Sequence, residues 1–355
     1  MLGVVLLERR NGVNVTFVLP GRGRSGGVRV TVEMARMLLS RGFGVRILAY
    51  CPPVGSKRYF RELLDSAWCR IQGLTHVDWL ADFEGGLESY TDINAVEFKT
   101  GEVVIAVGAM TVEAVRQIRQ SVIKLRYCHG FSTCYAQLMQ QAWGGEMPTI
   151  AVARTLVPQL EQYSGHGVLA VVPNGHRTDE YFDEGIGHDG IGMVFSGHPN
   201  KAPAFALALL RRIHERWPDV PLYVFGEPPR PRGIPRDSYW RFPSVVKARE
   251  LYSRSMIWLV PSIDEGLPAP PLEAMSCGSV VVSTDNLGCR EIIEPGHNGF
   301  LVPIGDIEGF MRCIGRLMND ELLRRRMVDA GQEKVRLFTW ENAAEHMEAV
   351  LNSIA

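Results

Sequence analysis

Short β-branched apolar runs alternate with longer stretches of helical period along this chain, and the alternation occurs in two successive series. The pattern points to parallel α/β architecture, because a strand followed by a crossover helix returns parallel and is then covered on both faces. In the first half the runs predict strands at 13–19, 45–49, 103–107, 123–127, 149–152 and 169–172. Between the first two, Val28, Val32, Ala35, Leu38 and Leu39 share one side of a helical pattern, with Arg29, Glu33, Arg36 and Ser40 largely on the other. Pro173, Asn174, Gly175 and the glycines and acids up to Asp189 break the rhythm and mark a boundary. A second series then predicts strands at 192–195, 222–225, 256–260 and 280–283, with helices at 306–318, 321–336 and 340–353. The expected domains are 1–175 and 176–338, with 339–355 as a closing helix.

Composition excludes some partners. A net charge of −1 over 355 residues gives no basic field for nucleic acid. The 7 cysteines form no Cys-x-x-Cys pair, and Cys128, His129 and Cys134 are too few to hold zinc, so reduced thiols and no metal are expected. Residues 1–7 are apolar but too short to span a bilayer, and Glu8, Arg9 and Arg10 follow them. A cytoplasmic protein is expected, with peripheral association at the inner membrane face left open.

The chemistry concentrates in residues 261–278, where Glu265 and Glu273 bracket a Gly/Pro-rich loop that runs from a strand into a helix. A loop opening a helix offers unpaired N–H groups and a positive dipole end to a diphosphate, while carboxylates accept hydrogen bonds from sugar hydroxyls. A plain capped helix with proline in its first turn is the alternative for either glutamate taken alone.

Glu265-x7-Glu273, followed by Ala274-Met-Ser-Cys-Gly278 and Val281-Val-Ser-Thr-Asp285, resembles the donor-site signature of the family-4 glycosyltransferases of GT-B fold. The resemblance continues through Asn286-Leu-Gly-Cys-Arg-Glu-Ile-Ile293, Gly296-His-Asn-Gly-Phe-Leu-Val-Pro303, Val172-Pro-Asn-Gly175 and Thr339-Trp-Glu-Asn-Ala-Ala344. It covers nearly the whole chain. It implies an α/β GT-B fold, two Rossmann-like domains facing across a cleft, whose last helix returns to the first domain. It also implies a retaining, metal-independent transfer of a hexose-type sugar from a nucleotide-diphosphate sugar to a glycan, lipid-linked or small-molecule acceptor. The absence of any Asp-x-Asp agrees with neutralisation of the diphosphate by protein groups.

By the same resemblance, Glu265 holds the donor sugar and Glu273 the ribose. Lys201 and the amides near Gly266, Leu267 and Ala269 hold the diphosphate, and His129 stands close to the donor sugar. Gly26, Gly27, Arg22 and Arg24 would face the cleft on the acceptor side, and Arg29 is a further candidate for an anionic acceptor. The chain departs from the family at His198, which stands where an arginine is usual, and at Leu267-Pro268-Ala269, where Phe-Gly-Leu is common. Histidine is mostly neutral near pH 7 and proline has no N–H, so both changes weaken a diphosphate site. The Pro-rich loop and Ser25-Gly-Gly-Val-Arg-Val30 are also similar to a bacterial rhamnosyltransferase subgroup.

Two other readings stay open on the residues alone. The departures suit a noncatalytic GT-B module that binds a glycan or a partner. Gly21-x-Gly23-x-x-Gly26 fits a dinucleotide-dependent oxidoreductase, although the second strand ends in Tyr50-Cys51-Pro52 with no acid for a ribose.

Overall fold

The structure, a computed structural model, describes residues 12–23, 25–57, 59–60 and 79–354. Its first sheet has seven parallel strands in the order β3-β2-β1-β4-β5-β6-β7. These are β1 (Asn14–Leu19), β2 (Gly44–Tyr50), β3 (Gly86–Tyr90), β4 (Val103–Val107), β5 (Ile123–Cys128), β6 (Thr149–Ala151) and β7 (Ala170–Val171). The central β4, Val-Val-Ile-Ala-Val, is buried at every position, as expected of a strand covered on both faces. Helix α1 (Gly26–Ser40) buries Val28, Val32, Ala35 and Leu38, and Ser25 caps it by accepting the Val28 amide at 3.4 Å.

The second sheet has six parallel strands in the order β10-β9-β8-β11-β12-β13. They are β8 (Gly190–Phe195), β9 (Leu222–Gly226), β10 (Tyr239–Arg241), β11 (Ser255–Val260), β12 (Val280–Thr284) and β13 (Gly299–Val302). In both sheets the order reverses direction beside the first strand of the series, the doubly wound arrangement.

Three strands, β3, β10 and β13, are not visible as apolar runs in the sequence, and all three are sheet edges. An edge strand has one neighbour and is less enclosed. Gly86–Tyr90 accordingly reads Gly-Leu-Glu-Ser-Tyr and buries only Tyr90. The helix after the 261–268 loop also starts earlier than the apolar run from Leu272 suggests, at Ala269, because proline is compatible with the first turn.

One apolar core runs from the first sheet through Phe338, Trp340 and Met275 into the second domain, and a second core covers the other face of the second sheet. The closing helix, Trp340–Ile354, packs on α1, and Arg41 lies 3.5 Å from its Glu348. Gly175 lies where a side chain would collide with Trp340, so the connecting segment can pass under the start of that helix only as glycine. Residues 1–11, with their apolar start, and Cys69 lie outside the described residues. Among the described residues no helix is long and apolar enough to cross a membrane.

Candidate active site

Parallel strands send their carboxyl ends to one edge of each sheet, and the two edges face one another. From the second sheet, β8 leads into the short turn Pro199–Lys201 and β11 leads into the 261–268 loop. The Asn200 carbonyl accepts the Ile263 amide at 2.7 Å and ties the two connections together. Lys201 Nζ then lies 2.5 and 2.7 Å from the two carboxylate oxygens of Glu265, whose side chain is 9% exposed. The structure thus joins two sequence-predicted residues as an ion pair at the strand ends. Ala202 follows Lys201 with φ +47°, a left-handed conformation that costs a non-glycine residue on the order of 1 kcal/mol. His198 does not join this pair; it is exposed, and its own amide donates to Ser196 Oγ at 3.3 Å.

Helix α7 (Ala269–Ser276) has Pro268 at its N-cap and Pro270 and Pro271 in its first turn, so proline removes three N–H groups where one was noted from the sequence. The remaining amides at this edge belong to Gly266, Leu267 and Ala269, and none donates to a protein acceptor among the described residues. Gly266 is pressed against the first domain. A Cβ there would stand 1.8 Å from the His129 carbonyl oxygen and 2.9 Å from Gly130 Cα.

His129 itself follows β5. Its ring centroid is 4.1 Å from that of Tyr127, and its Nε2 is shielded from solvent without a hydrogen-bond partner. Burial holds its pKa down at about 4, so the imidazole is neutral at pH 7 and can donate or accept one hydrogen bond. Burial likewise pushes the neighbouring Cys128 thiol up to about 12, which removes it as a nucleophile.

Glu273 is 8% exposed. Its Oε2 accepts from Tyr252 Oη at 2.7 Å, and Arg29 Nη1, from α1 of the other domain, lies 3.4 Å from Oε1. The same guanidinium donates to Glu180 at 2.5 Å and lies over the rings of Trp79 and Tyr181, at 4.9 and 5.6 Å. Burial pushes the Glu273 carboxyl up, against the opposing pull of Arg29 and Tyr252. For Arg29 burial acts downward, but Glu273, Tyr181 and Glu180 outweigh it and hold the guanidinium above its ordinary range. Arg29 is therefore committed to protein carboxylates and is not free for an anionic acceptor. Tyr252 and Tyr181 carried no signal in the sequence, since each reads as an apolar core position.

Of the acceptor-side residues, Gly26 and Gly27 form the first positions of α1 and Arg22 is exposed, while Arg24 lies outside the described residues. The domains also meet at Arg177, whose Nη1 donates to Glu33 Oε2 at 3.3 Å, and at two polar contacts nearer the strand ends. The Thr133 amide and hydroxyl donate to Asp264 Oδ2 at 2.9 and 2.8 Å, and the Thr155 amide donates to Glu291 Oε2 at 3.3 Å. Among the described residues no group of three or more His, Cys, Asp and Glu could hold a metal ion.

Residues 190–320 match the family described as glycosyl transferases group 1, a segment that contains Lys201, Glu265 and Glu273. The match lies within the second domain. Among curated relatives, the phosphatidyl-myo-inositol mannosyltransferase of Mycolicibacterium smegmatis is 26% identical over 200 residues, which are 52% of this chain and 52% of that protein. The chain thus spans about half the length of that relative. Two solved structures extend the likeness in fold to nearly the whole chain. Anabaena HepE, in complex with UDP and glucose, has a TM-score of 0.70 at 15% identity, over 96% of this chain and 100% of that one. TarM has a TM-score of 0.72 at 9% identity, over 98% and 100%. The architecture is GT-B, with two parallel Rossmann-like sheets.

Proposed function

We propose that this protein is a retaining GT-B glycosyltransferase that moves a sugar from a nucleoside-diphosphate sugar to an acceptor hydroxyl, without a metal ion. The observation that carries the reading is the Lys201–Glu265 pair at the carboxyl ends of β8 and β11, beside the unpartnered amides of Gly266, Leu267 and Ala269. In the structure Lys201 neutralises Glu265. A bound donor redistributes that charge: the ammonium moves toward the diphosphate, and the carboxylate it leaves accepts hydrogen bonds from the sugar hydroxyls. As the bond from the anomeric carbon to the phosphate oxygen breaks, negative charge grows on the leaving diphosphate, where Lys201 and the amides are fixed in advance. The anomeric carbon becomes cationic, and a new bond forms to the acceptor oxygen on the same face as its hydroxyl proton passes to the departing phosphate oxygen. In this reading His129, held neutral, gives its unpartnered Nε2 to a hydroxyl of the transferred sugar.

The domains divide the work. The first, to about residue 175, receives the acceptor, with Gly26, Gly27, Arg22 and Arg24 on its side of the cleft, and the second, to about residue 338, holds the donor. Glu273 takes the ribose, and Arg29 and Tyr252 hold its carboxylate in place for it. HepE and TarM are described in complexes that contain UDP, which makes UDP-sugars the first donors to try. Transfer or slow donor hydrolysis is measured over a panel of UDP- and GDP-sugars with and without a chelator. Turnover that survives chelation supports the reading, and activity lost to the chelator and restored by magnesium overturns its metal independence.

A second reading draws on Pro268, Pro270, Pro271 and the exposed His198, which together thin out the diphosphate contacts. They fit a GT-B module that binds a glycan or a protein without transferring sugar. Hydrolysis of any sugar-nucleotide that also stabilises the fold rules it out.

A further inference from the structure

A groove of about 470 Å³ opens at the amino ends of the second sheet, lined by His188, Met256, Gly278, Arg324, Val328 and Asp329 among others. One wall is helix α10 (Glu321–Val335), and the other is made where β8, β11 and β12 begin, at Gly190, Ser255 and Val280. The donor edge lies at the opposite ends of these strands. At about 3.3 Å per residue, the six residues of β11 set the groove roughly 20 Å from the Lys201–Glu265 pair. Gly278, with φ +85°, follows the end of α7, and a side chain there would stand 2.8 Å from His188 Cε1 and 2.9 Å from Asp183 Oδ2. The bare glycine lets His188, paired with Asp183 at 3.2 Å, pack against that end as part of the wall.

Most charges around the groove are already matched: Arg325 pairs with Glu321 at 2.5 Å, and His188 with Asp183. Two are not. Arg324 uses only Nη1, which donates to the Leu317 carbonyl and, at 3.2 Å, to that of Met318, in the last turn of helix α9 (Ile307–Asn319). These bonds anchor the guanidinium and leave its Nε and Nη2 without an acceptor among the described residues. The Asp329 carboxylate has no hydrogen bond or ion pair among the described residues either. One open group of each sign disfavours a simple anion and a simple cation alike, because each would meet one like charge. Asp329 stands five positions after Arg324, which at 1.5 Å per residue is about 7.5 Å along the helix axis, and both side chains lean toward the helix N-terminus. Val328 of α10 and Met256 of β11, both half-buried, supply an apolar floor.

We propose that the groove is a second ligand site, for a linear zwitterion whose carboxylate meets Arg324 and whose ammonium meets Asp329, with an aliphatic body laid on Val328 and Met256. The site is separate from the donor edge and does not depend on the reading given to that edge. Both charges are partly solvated, and exposed ion pairs contribute little, so the affinity is weak and is read by NMR. The full chain, carrying carbon-13 in its methionine methyl groups, is titrated with 6-aminohexanoate, hexanoate, hexylammonium and glycine, and the Met256 methyl resonance, assigned through Met256→Leu, is followed. 6-Aminohexanoate should shift that resonance and bind about fivefold or more tightly than either singly charged analogue, with glycine, which lacks the aliphatic body, the weakest. Asp329→Asn, an exposed position that leaves the fold intact, should bring 6-aminohexanoate down to the level of hexanoate. Val328→Phe, which fills the floor, should weaken every ligand, with an unchanged unfolding transition showing that the variant is folded. The site is overturned if no ligand moves the Met256 methyl, or if any of the other three binds as tightly as 6-aminohexanoate. It is overturned equally if the preference survives Asp329→Asn, or if binding survives Val328→Phe in a folded chain.

Discussion

Glu265 and Lys201 pair with each other directly, and this shapes what removing either one does. Glu265→Ala deletes the acceptor for the donor sugar's hydroxyls but also releases the Lys201 ammonium, 2.5 Å away, to face a diphosphate unopposed. Affinity for the nucleoside diphosphate alone should hold or rise. Affinity for the sugar-nucleotide should lose about 1.5–3 kcal/mol, the contribution of hydrogen bonds to a charged group, or roughly ten- to a hundredfold. Calorimetry with UDP and with its preferred sugar derivative measures the two. Equal losses for both ligands would falsify the assignment of Glu265 to the sugar. At the same scale, His176 reports on pH. Burial first, and the charge of Arg29 second, lower its pKa from 6.5 to about 4. The unfolded chain takes up the proton more readily in that interval. The stability from neutral His176 is therefore complete above about pH 6.5 and is lost as pH falls toward 4, by up to about 3 kcal/mol. His129 is depressed in the same direction, also to about 4. Urea unfolding of the native chain from pH 7 to 4.5 should show falling stability, and His176→Gln should flatten the slope by about half. A slope unchanged by that substitution removes His176 from the account.

At the scale of elements, the start of α7 decides how well a diphosphate is held. Pro268, Pro270 and Pro271 leave the Ala269 amide alone in the first turn, joined by Gly266 and Leu267 from the loop. Pro270→Ala restores an N–H at the positive end of the helix dipole without changing the turn around it. Donor affinity should rise several-fold, while the freer unfolded chain lowers stability by about 0.4–1 kcal/mol. Parallel measurements of UDP affinity and unfolding midpoint check this; a weaker donor complex in a folded variant shows that the prolines shape the site. This helix also marks how far the sequence carries. The central strands and the Glu265–Glu273 loop were legible because buried parallel strands are continuous apolar runs and because loop carboxylates beside glycines have few structural uses. The edge strands β3, β10 and β13 were not, since a strand with one neighbour needs no such run. Nor was the commitment of Arg29 to Glu180 and Glu273, because its partners lie 151 and 244 residues away and the local pattern shows only a polar helix position.

The whole molecule holds its cleft edges together by a few contacts near the candidate chemistry: Gly266 on His129, Thr133 on Asp264, Thr155 on Glu291 and Arg29 on Glu273. The closest is the first, and it requires glycine on the donor side. Gly266→Ala keeps the backbone amide and adds only a methyl group, whose carbon would stand 1.8 Å from the His129 carbonyl oxygen. That overlap involves backbone on both sides, so no side-chain rotation relieves it, and the edges must separate by an ångström or more. Nucleotide binding uses groups of the second domain and should change by no more than a few-fold. Sugar transfer needs both domains in register, and a displacement of about 1 Å at a reacting centre costs on the order of a hundredfold in rate. The expected signature is a variant that is folded and saturated by UDP, yet deficient in transfer. The more conservative contact at Thr133→Val, which removes one hydrogen bond to Asp264 and leaves the backbone contact, should lose far less. Measuring UDP affinity and the transfer rate on the native chain and both variants gives the answer. Full transfer by Gly266→Ala would mean that the first domain reacts from a more open position, and that the meeting of Gly266 with His129 belongs to a resting state.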